Sequence, residues 1–186
     1  MIEAARTIEL LSAHGSCVSQ DASDWQGTIA LPDEVAQFYA EVGPQEIEIE
    51  GYGNCTSIPS LAELWQYQAG YRWDALTGER IDDWPDSWFV VADEGGDPYI
   101  YDADTRQVLF AQHGMGTWEA GELYANLNTM AACLATLGNV ILNAEEFTDD
   151  DERVKPQYRE QAVSLLAELL GSRSEAEAIV ETAGWG

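Results

Sequence analysis

Two carboxylates, Asp102 and Asp104, follow the apolar run Tyr99-Ile100-Tyr101. Carboxylates two residues apart at a strand end can act as nucleophile and acid–base partner in phosphoryl transfer. That chemistry also needs magnesium ligands and a cation to neutralise the transferred group. The only lysine is Lys155, far downstream in a charged stretch. The pair is therefore expected to form a hairpin turn, with a phosphatase-like enzyme as a remote alternative. Asp93-Glu94-Gly95-Gly96-Asp97 gathers carboxylates of the kind hard cations favour, but it lacks the spaced ligands and closing glutamate of a calcium loop. It too reads as a turn. His14 and His113 stand without partners at metal or triad spacing. Cys17, Cys55 and Cys133 give neither a disulfide framework nor a zinc motif, and Cys17 has no nucleophile context. The expectation is a protein that is not an enzyme, with no catalytic residue, metal or cofactor.

Asp82-Asp83-Trp84-Pro85-Asp86-Ser87-Trp88 is a different kind of constellation, with aromatic residues interleaved among acids. Aromatic anchors supply binding energy at interfaces, and charges supply orientation and association rate. Two readings stay open for Trp84 and Trp88: anchors for a partner, or core residues under a solvated loop.

The charge balance favours a partner of a particular sign. Thirty-four Asp and Glu stand against eight Lys and Arg, for a formal net charge of −26. Such a field repels nucleic acid and anionic membranes and steers basic proteins, although it also serves solubility. Hydrophobic residues make up 46% of the chain, enough for a folded core. No apolar run is long enough to span a bilayer. A cytoplasmic protein is expected.

The elements that must position these residues follow from periodicity. Ile2 to Ala13 reads as a short helix. Leu31 to Pro44 reads as a helix with Pro32 at its first position, an apolar face of Val35, Phe38, Tyr39 and Val42, and a stop at Gly43-Pro44. Glu46 to Glu50 alternates as a half-buried strand. Ser60-Leu-Ala-Glu63 is a capping box that predicts a helix carrying Leu61, Leu64 and Trp65. Tyr71 to Ser87 is irregular. Strands are expected at Trp88–Ala92, Tyr99–Tyr101 and Val108–Ala111, giving an antiparallel meander of about four strands or more. Leu123, Leu127, Met130, Leu134 and Leu137 form a stripe that predicts a long helix from Trp118 to Leu137, ending at Gly138. Glu145 to Glu152 holds six acids in eight residues and reads as a solvated linker. Helices are expected from Pro156 to Gly171 and after a second capping box at Ser174. The fold class is α+β, an antiparallel sheet with helices packed on it, plus a C-terminal helical extension. The division is residues 1–138 and 139–186.

Several stretches resemble the SUKH superfamily, which includes the Smi-one/Knr-four type of cell-wall synthesis regulators. Leu31-Pro-Asp-Glu-Val-Ala-Gln-Phe-Tyr resembles its Leu-Pro start before an aromatic helix. Trp88-Phe-Val-Val-Ala with Gly96-Asp-Pro-Tyr-Ile-Tyr-Asp102 resembles its central hairpin, and Val108-Leu-Phe-Ala-Gln-His its next strand. Trp118 to Leu137 resembles its closing helix. The likeness spans Ile2 to Gly138. It departs at Gly43-Pro44, where the family has a double glycine, and residues 139–186 have no counterpart. The resemblance implies an immunity protein that binds a cognate polymorphic toxin and occludes it stoichiometrically, the toxin being basic and often a nuclease. The family's fungal members imply an alternative, an intracellular regulatory scaffold. The residues expected to meet the partner are Asp82, Asp83, Asp86, Asp93, Glu94, Asp97, Asp102 and Asp104, with Trp84 as anchor.

Overall fold

The computed structural model describes residues 2–114 and 117–186. Helix α1 spans Ala4–Leu11, strand β1 Ser16–Cys17 and helix α2 Asp33–Glu41. Strand β2, Pro44–Gln45, pairs antiparallel with β1. Between α2 and β2 the chain must turn sharply at Gly43, where φ is +59°. A Cβ there would lie 2.0 Å from the Val18 carbonyl oxygen, so only glycine fits.

Six strands follow in a single antiparallel sheet: β3 Ile47–Ile49, β4 Thr56–Ile58, β5 Trp88–Glu94, β6 Asp97–Asp102, β7 Val108–Phe110 and β8 Gly121–Tyr124. Their spatial order is their chain order. Alternation along the strands gives the sheet two apolar faces. Ile47, Ile49, Phe89, Tyr99, Tyr101, Val108 and Tyr124 point into the main core with the helices. Val90, Ile100, Leu109 and Ala111 point the other way, into a second cluster. A register shift between Val90 and Ala92 lets both Val91 and Ala92 join the main core.

Helix α3, Leu127–Leu142, is buried along most of its length and packs against both α1 and α4. Asn126 caps it by accepting from the Thr129 N–H at 2.9 Å. Helices α4, Pro156–Leu170, and α5, Arg173–Thr182, follow. Proline opens α4, and Gly171 closes it at φ +74°. Ala162, Val163, Leu166, Ala176, Ile179, Val180 and Trp185 all enter the main core, so the C-terminal helices are part of the same apolar interior.

The α+β architecture is the one read from the sequence, and four local expectations are corrected. Ser60–Glu63 opens turns and a 3-10 segment at Gln66–Gln68, not a helix. There the Gln68 side chain donates to the Leu64 carbonyl, the acceptor that continued α-helix would use for a backbone N–H. The stretch from Trp118 divides into β8 and α3, so Leu123 lies on a strand while Leu127, Met130, Leu134 and Leu137 share the helix. Gly138 sits inside α3 and does not end it. Pro32 is the N-cap of α2, one position from its expected place, and Ser172 caps α5, two positions before the expected Ser174. The strands at β4 and β8 were not expected.

Candidate interaction surface

The acids singled out by sequence lie at two ends of the β5–β6 hairpin. Gly95 and Gly96 both have positive φ, the backbone that a two-residue hairpin loop requires. Asp93 accepts from the Gly96 N–H at 2.9 Å and from the Tyr71 hydroxyl. Glu94 accepts from the Tyr99 hydroxyl at 2.9 Å, and burial raises its carboxyl pKa. Asp97 accepts from the His113 backbone N–H at 2.7 Å and faces its ring Nδ1 at 2.6 Å. At the far end of β6, about 17 Å away at strand rise, Asp102 accepts from the Asp104 N–H and the Thr105 hydroxyl, each at 3.1 Å. This is a self-capped turn. Trp88 pairs with Asp102, which places Asp86 at the same end.

Most of these carboxylates are committed within the fold. Every acidic residue of the chain is exposed except Glu34, Asp93, Glu94, Asp97 and Asp102. Asp86 is exposed but faces Arg80 at 2.8 Å and Arg72 at 3.7 Å. Asp82, Asp83 and Asp104 are exposed and form no salt bridge among the described residues. Trp84 is 1% exposed and rests on Val90, Ile100, Leu109 and Ala111. Its ring lies 5.3 to 5.9 Å from those of Trp88, Tyr71 and Trp118. In this conformation it is a core residue with no surface left for a partner. Among the described residues, no group of three or more His, Cys, Asp or Glu is placed to hold a metal ion. No described helix is long and apolar enough to cross a membrane.

The segment that carries Trp84 is pinned to the sheet by two polar side chains. Strand β4 pairs only with Asp93 and Glu94 of β5, which leaves the edge of β5 near Trp88 and Val90 open. Gln68 fills it, donating to the Val90 carbonyl at 2.8 Å and accepting the Val90 N–H at 3.0 Å. Arg72, 4% exposed, donates to the carbonyls of Asp86 and Trp88 and lies over the Phe89 ring. Burial lowers its pKa, and Arg80 nearby acts in the same direction.

The start of this strap carries aromatic groups to which the sequence reading gave no surface role. Trp25, from the loop before α2, meets Trp65 edge-on at 5.5 Å. Trp65 in turn stacks on Trp73 at 4.4 Å. All three are half-buried, and Trp65 and Trp73 belong to neither hydrophobic cluster. Beside Trp73, Asp74 accepts from the N–H groups of Leu76 and Thr77 at 2.9 and 2.7 Å, which holds its carboxyl below the usual range. The turn presents Leu76, 96% exposed. A usable signal existed in the sequence: Trp65 and Trp73 stand eight positions apart at the start of the irregular stretch, with Glu63 two residues before the first and Asp74 directly after the second.

No protein-family model, curated protein or solved structure matches this chain.

Proposed function

We propose that this protein is a stoichiometric binder of a basic protein, of the immunity type, that neutralises a cognate toxin domain by covering its active site. The observation that carries this reading is the distribution of charge. A net charge of −26 is displayed on a folded α+β frame with nearly every carboxylate in solvent. Such a field raises encounter rates with cationic partners and repels polyanions. The residue patterns resembling the SUKH superfamily agree with it, and an immunity protein of this kind acts in the cytoplasm.

The proposal predicts a basic effector domain encoded beside this chain's gene, and the test is co-expression with that domain. Growth is restored, the two purify as a complex of fixed stoichiometry, and the Kd weakens about tenfold or more from ~50 to ~500 mM NaCl. A folded, well-expressed chain that neither restores growth nor binds the domain at low salt sinks the proposal. Recovery of several unrelated endogenous partners of moderate affinity, with no toxic neighbour, points to the regulatory scaffold instead.

A further inference from the structure

Given the binder reading, the remaining question is which face meets the partner. We infer that it is the outer side of the 65–79 strap: the Trp65–Trp73 stack, extended by Trp25, with Leu76 projecting beside it. The occupant is an arginine-bearing segment of a basic protein.

Three observations lead there. First, the stack is aromatic surface that the fold does not use. Trp65 and Trp73 are half-buried, their rings 4.4 Å apart, outside both core clusters. Neither indole N–H meets an acceptor among the described residues, whereas those of Trp25 and Trp84 donate to backbone carbonyls at 2.9 and 3.2 Å. Paired indoles with free donors are what interface anchors present.

Second, Leu76 is displayed by a braced turn. The Gly78 N–H donates to the Asp74 carbonyl at 2.9 Å, and the Asp74 N–H to the Glu79 carbonyl at 2.8 Å. With the two bonds to the Asp74 side chain, the tip is ordered before any partner arrives. A backbone held this way loses little entropy when its apolar side chain is buried.

Third, the charge left free around the stack is negative, because Arg72, next to Trp73, and Arg80, bridged to Trp73 through the backbone, both turn to Asp86. Asp24, Glu63 and Asp74 lie within two residues of the three indoles, and all are exposed. Between Thr7 and Thr105 the only Lys or Arg are Arg72 and Arg80, and both are directed at Asp86. Guanidinium groups stack on indole faces and pair with carboxylates, and arginine does both better than lysine. The hairpin acids Asp93, Glu94 and Asp97 are worse candidates, because internal donors already occupy them.

The test uses the full chain and three decapeptides: alternating Arg-Leu, alternating Lys-Leu and alternating Arg-Ser. Binding is followed by heteronuclear NMR at low salt. Arg-Leu is expected to move the Trp65 and Trp73 indole N–H and Leu76 methyl resonances first, and to bind about threefold tighter than Lys-Leu. It should bind about tenfold tighter than Arg-Ser, the effect of burying one leucine-sized contact. Leu76→Ser, at a position almost wholly in solvent, keeps the melting temperature and erases the Arg-Leu over Arg-Ser preference. Shifts centred on residues 93–97 or 145–152, or a Leu76→Ser chain that ranks the peptides as the native one does, overturn this face and leave the binder reading standing. Absence of saturable binding by all three peptides also overturns this face, whereas the binder reading falls only if the co-expression and domain-binding test fails.

Discussion

Gly138 has no room for a side chain. A Cβ there would stand 2.5 Å from the Ile49 side chain and 2.7 Å from the His14 ring. Gly138→Ala should cost about 1–3 kcal/mol by overpacking, read from urea unfolding. The glycine's visible meaning in sequence was a helix stop, since nothing local reveals that Ile49 and His14 will lie against it. His14 itself is buried, with Nε2 3.3 Å from the Ala135 carbonyl oxygen. Desolvation pulls its pKa below 6.5. The unfolded chain then takes up a proton that the folded chain refuses, so this contribution is intact above about pH 6.5 and fades as pH falls through the folded value. Urea midpoints should drop further between pH 7.5 and 5.5 (values chosen at roughly one unit either side of 6.5) for the native chain than for His14→Gln. Glu94 has the opposite sign. Its raised pKa, caused first by burial, favours the protonated form, so ionisation above pH 4.5 costs stability. Glu94→Gln keeps an oxygen for the Tyr99 hydroxyl and should raise the urea midpoint at neutral pH, with the gain vanishing in acid.

At the scale of elements, regular periodicity was legible and substitution of one element by side chains was not. The alternation at Ile47 and Ile49 and the apolar face of α2 needed only local pattern, and the structure keeps them. The 60–68 segment carries the sequence of a capping box, but Ser60 Oγ donates to the Glu63 carboxylate at 2.9 Å and the Glu63 N–H goes to the Ser60 carbonyl. It still does not form a helix, because Gln68 is recruited by the unpaired edge of β5, a contact 22 positions away in sequence. Gln68→Ala should therefore cost about 2–3 kcal/mol by leaving buried backbone groups of Val90 and Leu64 unpaired, while the exposed Gln66→Ala stays within about 0.5 kcal/mol. Chemical denaturation of the two variants measures the difference. The stripe from Leu123 to Leu137 shows a second limit. Helical spacing extended one residue set across a strand and a helix, and only the Asn126 cap marks the boundary.

For the whole molecule, self-repulsion opposes the fold. At a net charge of −26, the melting temperature at neutral pH should climb by several degrees as NaCl screens the surface, in calorimetry or fluorescence melts. The C-terminal helices are structural as well as additional. Trp185 is 2% exposed and meets Phe147 at 4.9 Å, within the stretch that composition alone marks as a solvated linker. Deleting residues 156–186 should uncover the side of α3 on which α4 packs, seen as dye binding to apolar surface and a large loss in melting temperature.

The sequence by itself determined the α+β class, the hairpin turns, the ends of α4 and the sign of the chain's own charge, because these follow from neighbours in the chain and from composition. Only the tertiary structure decided which acids remain free, that Trp84 is interior, and that Trp25, Trp65 and Trp73 meet on the surface. Exposure and long-range pairing depend on what folds over each residue, and a residue's type and local spacing do not encode that.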